Sequence, residues 1–223
     1  MWRDERGMAL VLVLLCAMLF LALGGALVTV VSSEAAISST FRESAVALSA
    51  ADAAIVRVLP DLAAALDLDA ILRGAAASTF GDGPPPAIRL LPDGTSLDLV
   101  AATNVERCAQ TVCADAQMAA VTVERPWGAN NARWQVYGSG WLRDLTPQAR
   151  DVPHAYVVVW VGDDPLETDG DPLADDADVN APGHDVVLLR AVAYAAYSAR
   201  RTIEVVVRRD AGTVRITSWR EIH

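Results

Sequence analysis

The chain has 223 residues, a formal net charge of −10 and 53% hydrophobic residues. A soluble domain holds about 45–50% apolar residues, so the excess needs a location. The negative balance and the absence of a basic tract argue against nucleic-acid binding, and aliphatic residues spread along the whole chain exclude wholesale disorder.

Met8 to Val31 is 24 residues without a charge. As a helix it would be about 36 Å long, enough to cross a bilayer. A single span excludes a pore built from one chain. Arg3 and Arg6 precede it, and the positive-inside rule places them in the cytoplasm and exports the rest. A secretory signal peptide competes with this reading, but its apolar core is usually about 7–15 residues long. Here the run is longer, and the Ser-Ser-Glu-Ala-Ala-Ile that follows Val31 continues a helical pattern.

Ile37, Phe41, Ala45, Leu48, Ala51, Ile55 and Leu59 recur at spacings of three and four, one stripe on a helix. No Pro interrupts Met8 to Leu59. The pattern predicts one continuous helix, apolar all round over 8–31 and amphipathic over 32–59, with Gly24-Gly25 as its weak point. Pro60 fits the start of a new helix, running to Arg73 and stopped by Gly74.

A short charged leader ending in Gly7, an uncharged apolar stretch and a long amphipathic helix together resemble a type IV pilin or type II secretion pseudopilin. Glu5-Arg-Gly-Met-Ala-Leu-Val11 and Ala50-Ala-Asp-Ala-Ala54 resemble the N-terminal domain of PilX-type minor pilins, to which GspK-type minor pseudopilins are related. The resemblance covers roughly the first 60 residues. It implies a prepilin leader over 1–7, cleavage between Gly7 and Met8 by a prepilin peptidase, and methylation of the new amine on Met8. Most major pilins carry Glu at the fifth mature position, and this sequence has Leu12 there. In such filaments that carboxylate is thought to neutralise the N-terminal ammonium of a neighbouring subunit, because an unpaired charge in an apolar core is expensive. A subunit without it fits best where nothing lies ahead, at or near a filament tip.

The resemblance thus implies a minor pilin that primes assembly or caps the tip, with a contribution to adhesion. Its partners would be other minor and major pilins, the prepilin peptidase and the inner membrane. It would sit in that membrane as a single pass, N-terminus in the cytoplasm, before assembly, and in an extracellular filament afterwards. A type II secretion pseudopilin and an uncleaved single-pass periplasmic binding or sensor protein are the alternatives.

From Pro60 to the end, one exported domain is expected, with Pro92-Asp-Gly94 turning a hairpin between Ile88–Leu91 and Ser96–Val100. Ala119–Val123, Trp134–Trp141, Ala155–Val161, Val186–Tyr194, Thr202–Arg208 and Thr213–Trp219 are further strand candidates. The last three suggest an antiparallel meander, with Asp210-Ala-Gly212 turning the final pair. A long N-terminal helix packed on an antiparallel sheet is an α+β arrangement, and a pilin-like one.

Cys108 and Cys113 would face an oxidising periplasm and are expected to form a disulfide, whose short loop contributes roughly 2 kcal/mol. Cys16 lies within the span and reads as a small apolar residue. Arg125-Pro-Trp-Gly-Ala-Asn-Asn-Ala-Arg-Trp134 combines two Trp with two Arg. It reads either as a contact surface or as a loop whose Trp side chains plug the sheet edge.

The acid excess is local. Residues 163–185 hold nine acids and no Arg, leaving 19 acids and 18 Arg elsewhere, a net of −1. Carboxylates clustered with Gly and Asn suit Ca²⁺, which takes six to eight oxygens. Asp163, Asp164, Asp169 and Asp171 are the first candidate ligands, followed by Asp175, Asp176 and Asp178. No EF-hand register fits, since a start at Asp178 puts Pro182 fifth and Leu189 twelfth. The other reading is a solvated loop joining two strands. No catalytic residues are expected: His154, His184 and His223 form no catalytic pair, there is no phosphate-binding loop, and the acidic loop reads as too mobile and polar to raise a carboxyl pKa. No cofactor beyond Ca²⁺ is implied.

Overall fold

The structure is a computed structural model. It describes residues 6–83, 85–145, 152–167, 169–176, 178, 180–181, 183–210 and 212–222. Met1 to Glu5 of the expected leader, Pro84, residues 146–151, Thr168, Ala177, Val179, Pro182, Ala211 and His223 therefore lie outside the described residues. The chain divides into two compact units, Met1–Arg42 and Glu43–His223.

One helix, α1 (Arg6–Ala64), enters both units. In the first unit every side chain from Met8 to Ser38 is exposed, and the backbone stays α-helical through Gly24-Gly25. Its few hydroxyls are satisfied within the helix: Thr29 Oγ1 donates to the Ala26 carbonyl at 2.7 Å, Ser32 Oγ to Val28 at 2.8 Å and Ser33 Oγ to Thr29 at 2.9 Å. Such bonds remove the cost of carrying a hydroxyl in an apolar medium. This helix contains a segment long and apolar enough to cross a membrane, with a mean hydropathy of 2.8.

Pro60 does not start a new helix, as the sequence predicted, but lies inside α1. Proline removes one i→i−4 hydrogen bond. Here the orphaned acceptor is the Val56 carbonyl, and both residues are on the exposed face. The next helix, α2 (Leu68–Leu72), begins where Asp67 caps it by accepting from the Ala70 N–H at 3.2 Å.

In the second unit the buried face of α1 is Ala47, Ala50, Ala51, Ala54, Ile55, Val58 and Leu62. This shares Ala51 and Ile55 with the predicted stripe. Leu48 is half-buried against the same core, while Ile37 and Phe41 are exposed in the first unit. Four alanines make up most of the buried face, and the larger Leu48 and Leu59 fall at its margins.

The remaining elements are β1 (Ile88–Leu90), β2 (Ser96–Asp98), α3 (Leu99–Cys108), α4 (Asp115–Met118), β3 (Gln135–Trp141), α5 (Leu142–Leu145), β4 (Tyr156–Asp163), β5 (Val186–Tyr194), β6 (Arg200–Asp210) and β7 (Thr213–Ile222). Strands β3 to β7 form one antiparallel meander in chain order, and β1 pairs with β2 as a separate hairpin. The fold is α+β, a long N-terminal helix packed on a five-stranded antiparallel sheet.

Two sequence expectations fail here. Ala119–Val123 is not a strand. Its backbone closes turns instead, with Thr122 N–H donating to Arg125 O and the Met118 and Ala120 carbonyls accepting from Asn131 Nδ2. Leu99 and Val100 do not extend β2 but open α3, because the Asp98 carboxylate accepts from the Val100 and Ala101 N–H groups and caps a helix.

The sheet is covered on both faces, which explains why β4 and β5 read as nearly unbroken apolar runs. Val157, Val159 and Val161 of β4 face α1, together with Leu189 and Ala191 of β5 and Ile203 and Val205 of β6. Tyr156, Val158 and Trp160 face the other way and pack with Leu99 of α3, Leu91 and Trp134. Alternate residues of each strand thus serve two cores.

Candidate functional site

The β4–β5 connection carries the acid excess, and the structure divides its carboxylates into two classes. The first class builds the loop. Asp164 Oδ1 accepts from the Leu166 N–H at 3.1 Å, Asp169 from Asp171 at 3.0 Å, Asp171 from Leu173 at 3.2 Å, Asp176 from Asp178 at 2.8 Å and Asp178 from Asn180 at 2.9 Å. Each is an aspartate closing a turn on the backbone two residues ahead. Five of the seven candidate ligands are therefore engaged in shaping the chain.

The second class is buried. Asp163 ends β4 opposite Val187, and its side chain is 3% exposed. Glu167 is 4% exposed and sits one turn further on, its N–H donating to the Asp164 carbonyl at 3.0 Å. Asp163 Oδ1 and both carboxylate oxygens of Glu167 are buried without a hydrogen-bond partner among the described residues. Burial, reinforced by the charge of Glu167, pushes the Asp163 carboxyl up to about 9. Burial, reinforced by Asp175, pushes Glu167 up to about 8. The loop is thus not too mobile and polar to raise a carboxyl pKa. The correction follows from strand parity: Asp163 lies two residues beyond Val161 and continues the face turned toward α1.

Asp175, His184 and Asp185 form a second cluster, one ligand atom from each lying within 4.8 Å of the others. These groups already have partners. Arg209 Nη2 pairs with Asp185 Oδ1 at 2.8 Å, His184 Nδ1 lies 3.3 Å from Asp175 Oδ2, and Asp175 Oδ1 accepts from the Asp185 N–H at 2.8 Å. Burial raises the Asp175 carboxyl, and the Asp185 N–H and His184 act against it.

The chain was compared with protein-family models, with curated proteins and with solved structures. Nothing matches.

The α3-facing side of the sheet carries a charged ladder. Arg190 of β5, Glu204 of β6 and Arg220 of β7 are neighbours in register. Glu204 is buried and accepts from Arg190 Nη2 at 2.5 Å on one oxygen and from Arg220 on the other. Arg190 Nη1 also bonds Glu106 of α3 at 2.7 Å, and its guanidinium stacks 4.3 Å from the Trp134 ring centroid. Trp134 is buried, whereas Trp127 of the same Trp/Arg segment is 40% exposed. Trp160 Nε1 donates to Thr103 Oγ1 at 2.9 Å, joining β4 to α3. Trp134 and Trp160 serve the second core, and Trp127 stands outside it.

Cys108 and Cys113 form the expected disulfide at the end of α3, and Cys16 is a free, exposed cysteine. His154 stacks on Trp141 at 4.4 Å.

Sequence reasoning placed Asp163 in the candidate set and omitted Glu167. A two-residue count from Val161 marks Asp163 as inward-facing. Glu167 carries no comparable signal, because its burial depends on the return of the chain at Gly183.

Proposed function

We propose that this protein is a minor pilin of the PilX-like kind, which primes filament assembly or occupies the filament tip and contributes to adhesion. The observation that carries the reading is the division of labour along α1. Its first part is apolar and exposed at every position from Met8 to Val31, and its last part is packed on an antiparallel sheet. An exposed apolar helix of this length needs a bilayer or other helices around it. Both suit a subunit stored in the inner membrane through residues 8–31 and then extracted into a filament.

Two sequence features support the placement within a filament. Gly7-Met8 matches the prepilin cleavage junction, and Leu12 stands where major pilins carry an acid. A subunit with Leu12 offers no carboxylate to the ammonium of a subunit ahead, which favours the tip. In the assembled state Ile37 and Phe41, both exposed, would pack against helices of other pilins.

The test is to shear filaments from cells that carry the native gene and label them with antibody to the second unit. Label at filament ends, and loss of filaments on deletion of the gene, supports the proposal. Label confined to the cell envelope, with normal filaments after deletion, refutes it and favours a single-pass periplasmic protein.

A further inference from the structure

We infer that Asp163 and Glu167 form a binding site for a hard divalent cation of the calcium class, at the base of the β4–β5 loop. The inference does not rest on the acid content of the loop, since five of its aspartates are engaged in turns. It rests on two carboxyl residues more than nine-tenths buried, with three oxygens that no hydrogen-bond donor among the described residues reaches.

The Asp164 N–H reaches the Asp163 carboxyl, but Asp163 Oδ1 and both oxygens of Glu167 are left without a donor among the described residues, which is costly, and the two carboxyls repel each other. The surroundings make the repulsion worse. The charges that push the Asp163 carboxyl up are those of Glu167, Asp169 and Asp175, and those that push Glu167 up are Asp175, Asp169, Asp176 and Asp164. Arg209 of β6 is taken by Asp185 and by the Ala65 carbonyl at 2.6 Å. Arg133, whose Nη1 is also buried without a partner, acts on Arg107.

The fold nevertheless makes room for Glu167. A Cβ at residue 183 would lie 2.0 Å from Glu167 Cγ and 2.6 Å from Oε1, so only glycine there lets the carboxylate reach its position. The Glu167 carbonyl is held by Asn130 Nδ2 at 2.6 Å, which ties this turn to the neighbouring loop.

A cation resolves the conflict. Glu167 supplies two oxygens and Asp163 one, and backbone carbonyls and water complete a shell of six to eight. That number and a flexible loop suit Ca²⁺ better than Mg²⁺, which demands a tight octahedron and keeps its waters. The cation would also fasten the acidic loop to the end of the sheet.

The test uses the full chain in detergent micelles, stripped with a chelator and desalted, then titrated with CaCl₂ and separately with MgCl₂. Calorimetry is expected to show saturable Ca²⁺ binding at one site per chain. At about a hundredfold excess over Kd, the thermal midpoint should rise by about 5–10 °C. MgCl₂ should shift it less. Asp163→Asn with Glu167→Gln should abolish the Ca²⁺ shift and melt, without calcium, no lower than the stripped wild type. Asp169→Asn with Asp171→Asn should keep the shift. A flat wild-type titration with an unchanged midpoint overturns the proposal, as does undiminished binding by the Asn/Gln variant. The wild-type titration decides whether the site exists whatever becomes of the variants. Glu167→Gln alone, which keeps the side chain's shape beside Gly183, decides its place. None of these outcomes depends on the reading of the chain as a pilin.

Discussion

Glu167 occupies the space that a side chain at residue 183 would need. The relationship is steric before it is electrostatic: an alanine Cβ at 183 would sit 2.0 Å from Glu167 Cγ. Gly183→Ala must therefore expel the glutamate or shift the loop. Overpacking of this kind costs about 1–3 kcal/mol. Urea denaturation should show that loss, and Glu167→Ala in the same chain should recover most of it, because the clashing atoms are gone. Two additive losses would contradict the contact.

Asp61 gives the clearest dependence on pH. Burial raises its carboxyl, but Ser78 Oγ at 2.5 Å, Thr79 Oγ1 at 2.9 Å, the Thr79 N–H at 2.7 Å and the charge of Arg57 outweigh burial and hold it below its ordinary 3.8. A carboxyl lowered by folding contributes stability that is complete above its unfolded value. That stability is lost as pH falls through the folded one. Asp61→Asn should cost about 1–3 kcal/mol at pH 7, and the gap to wild type should close on acidification below about pH 4. Thermal melts across pH 2–7 would measure it. A gap that persists at the acid end would show that charge is not the cause.

Glu204 is expected to be more sensitive than an exposed acid, because two arginines meet on it in a buried position. Glu204→Ala leaves Arg190 partly unpaired in the second core, and breaking a buried pair on one side costs about 3–5 kcal/mol. Replacing Arg190 by Met and Glu204 by Leu together should cost less than the sum of the single changes. Chemical denaturation of the four chains completes the cycle.

Trp160 and Thr103 join the sheet to α3 through one buried hydrogen bond. Thr103→Val keeps the shape and removes the acceptor, leaving a buried indole N–H unpaired at a cost of about 1–3 kcal/mol. The measurable result is a lower thermal midpoint together with a shifted Trp fluorescence maximum. An unchanged melt would mean that another acceptor takes the proton.

Most of the sheet was legible in the sequence because strands buried on both faces stand out as apolar, β-branched runs bounded by turn residues. β5 carries its predicted bounds, Val186–Tyr194, and the hairpin around Pro92-Asp-Gly94 forms in the expected place. Local signals misled where tertiary contacts override them. Pro60 reads as a helix start, yet it is tolerated inside α1 on an exposed face. The stripe followed spacings of three and four and meets the buried face at Ala51 and Ile55, whereas that face also runs through Ala47, Ala50 and Ala54. Asp98 was readable as a helix cap, but Leu99 and Val100 continue the alternation of β2 and conceal it. The candidate site was half legible: Asp163 follows from strand parity, and Glu167 from a long-range contact with Gly183 that no local pattern encodes.

The central claim concerns α1, and the mass of the mature N-terminus tests it most directly. The full chain should be produced in cells that hold a prepilin peptidase, extracted from the membrane and analysed as its N-terminal peptide. A peptide beginning at Met8 with a methylated amine is the predicted result. A peptide that still begins at Met1, in cells that process a control pilin, would contradict it.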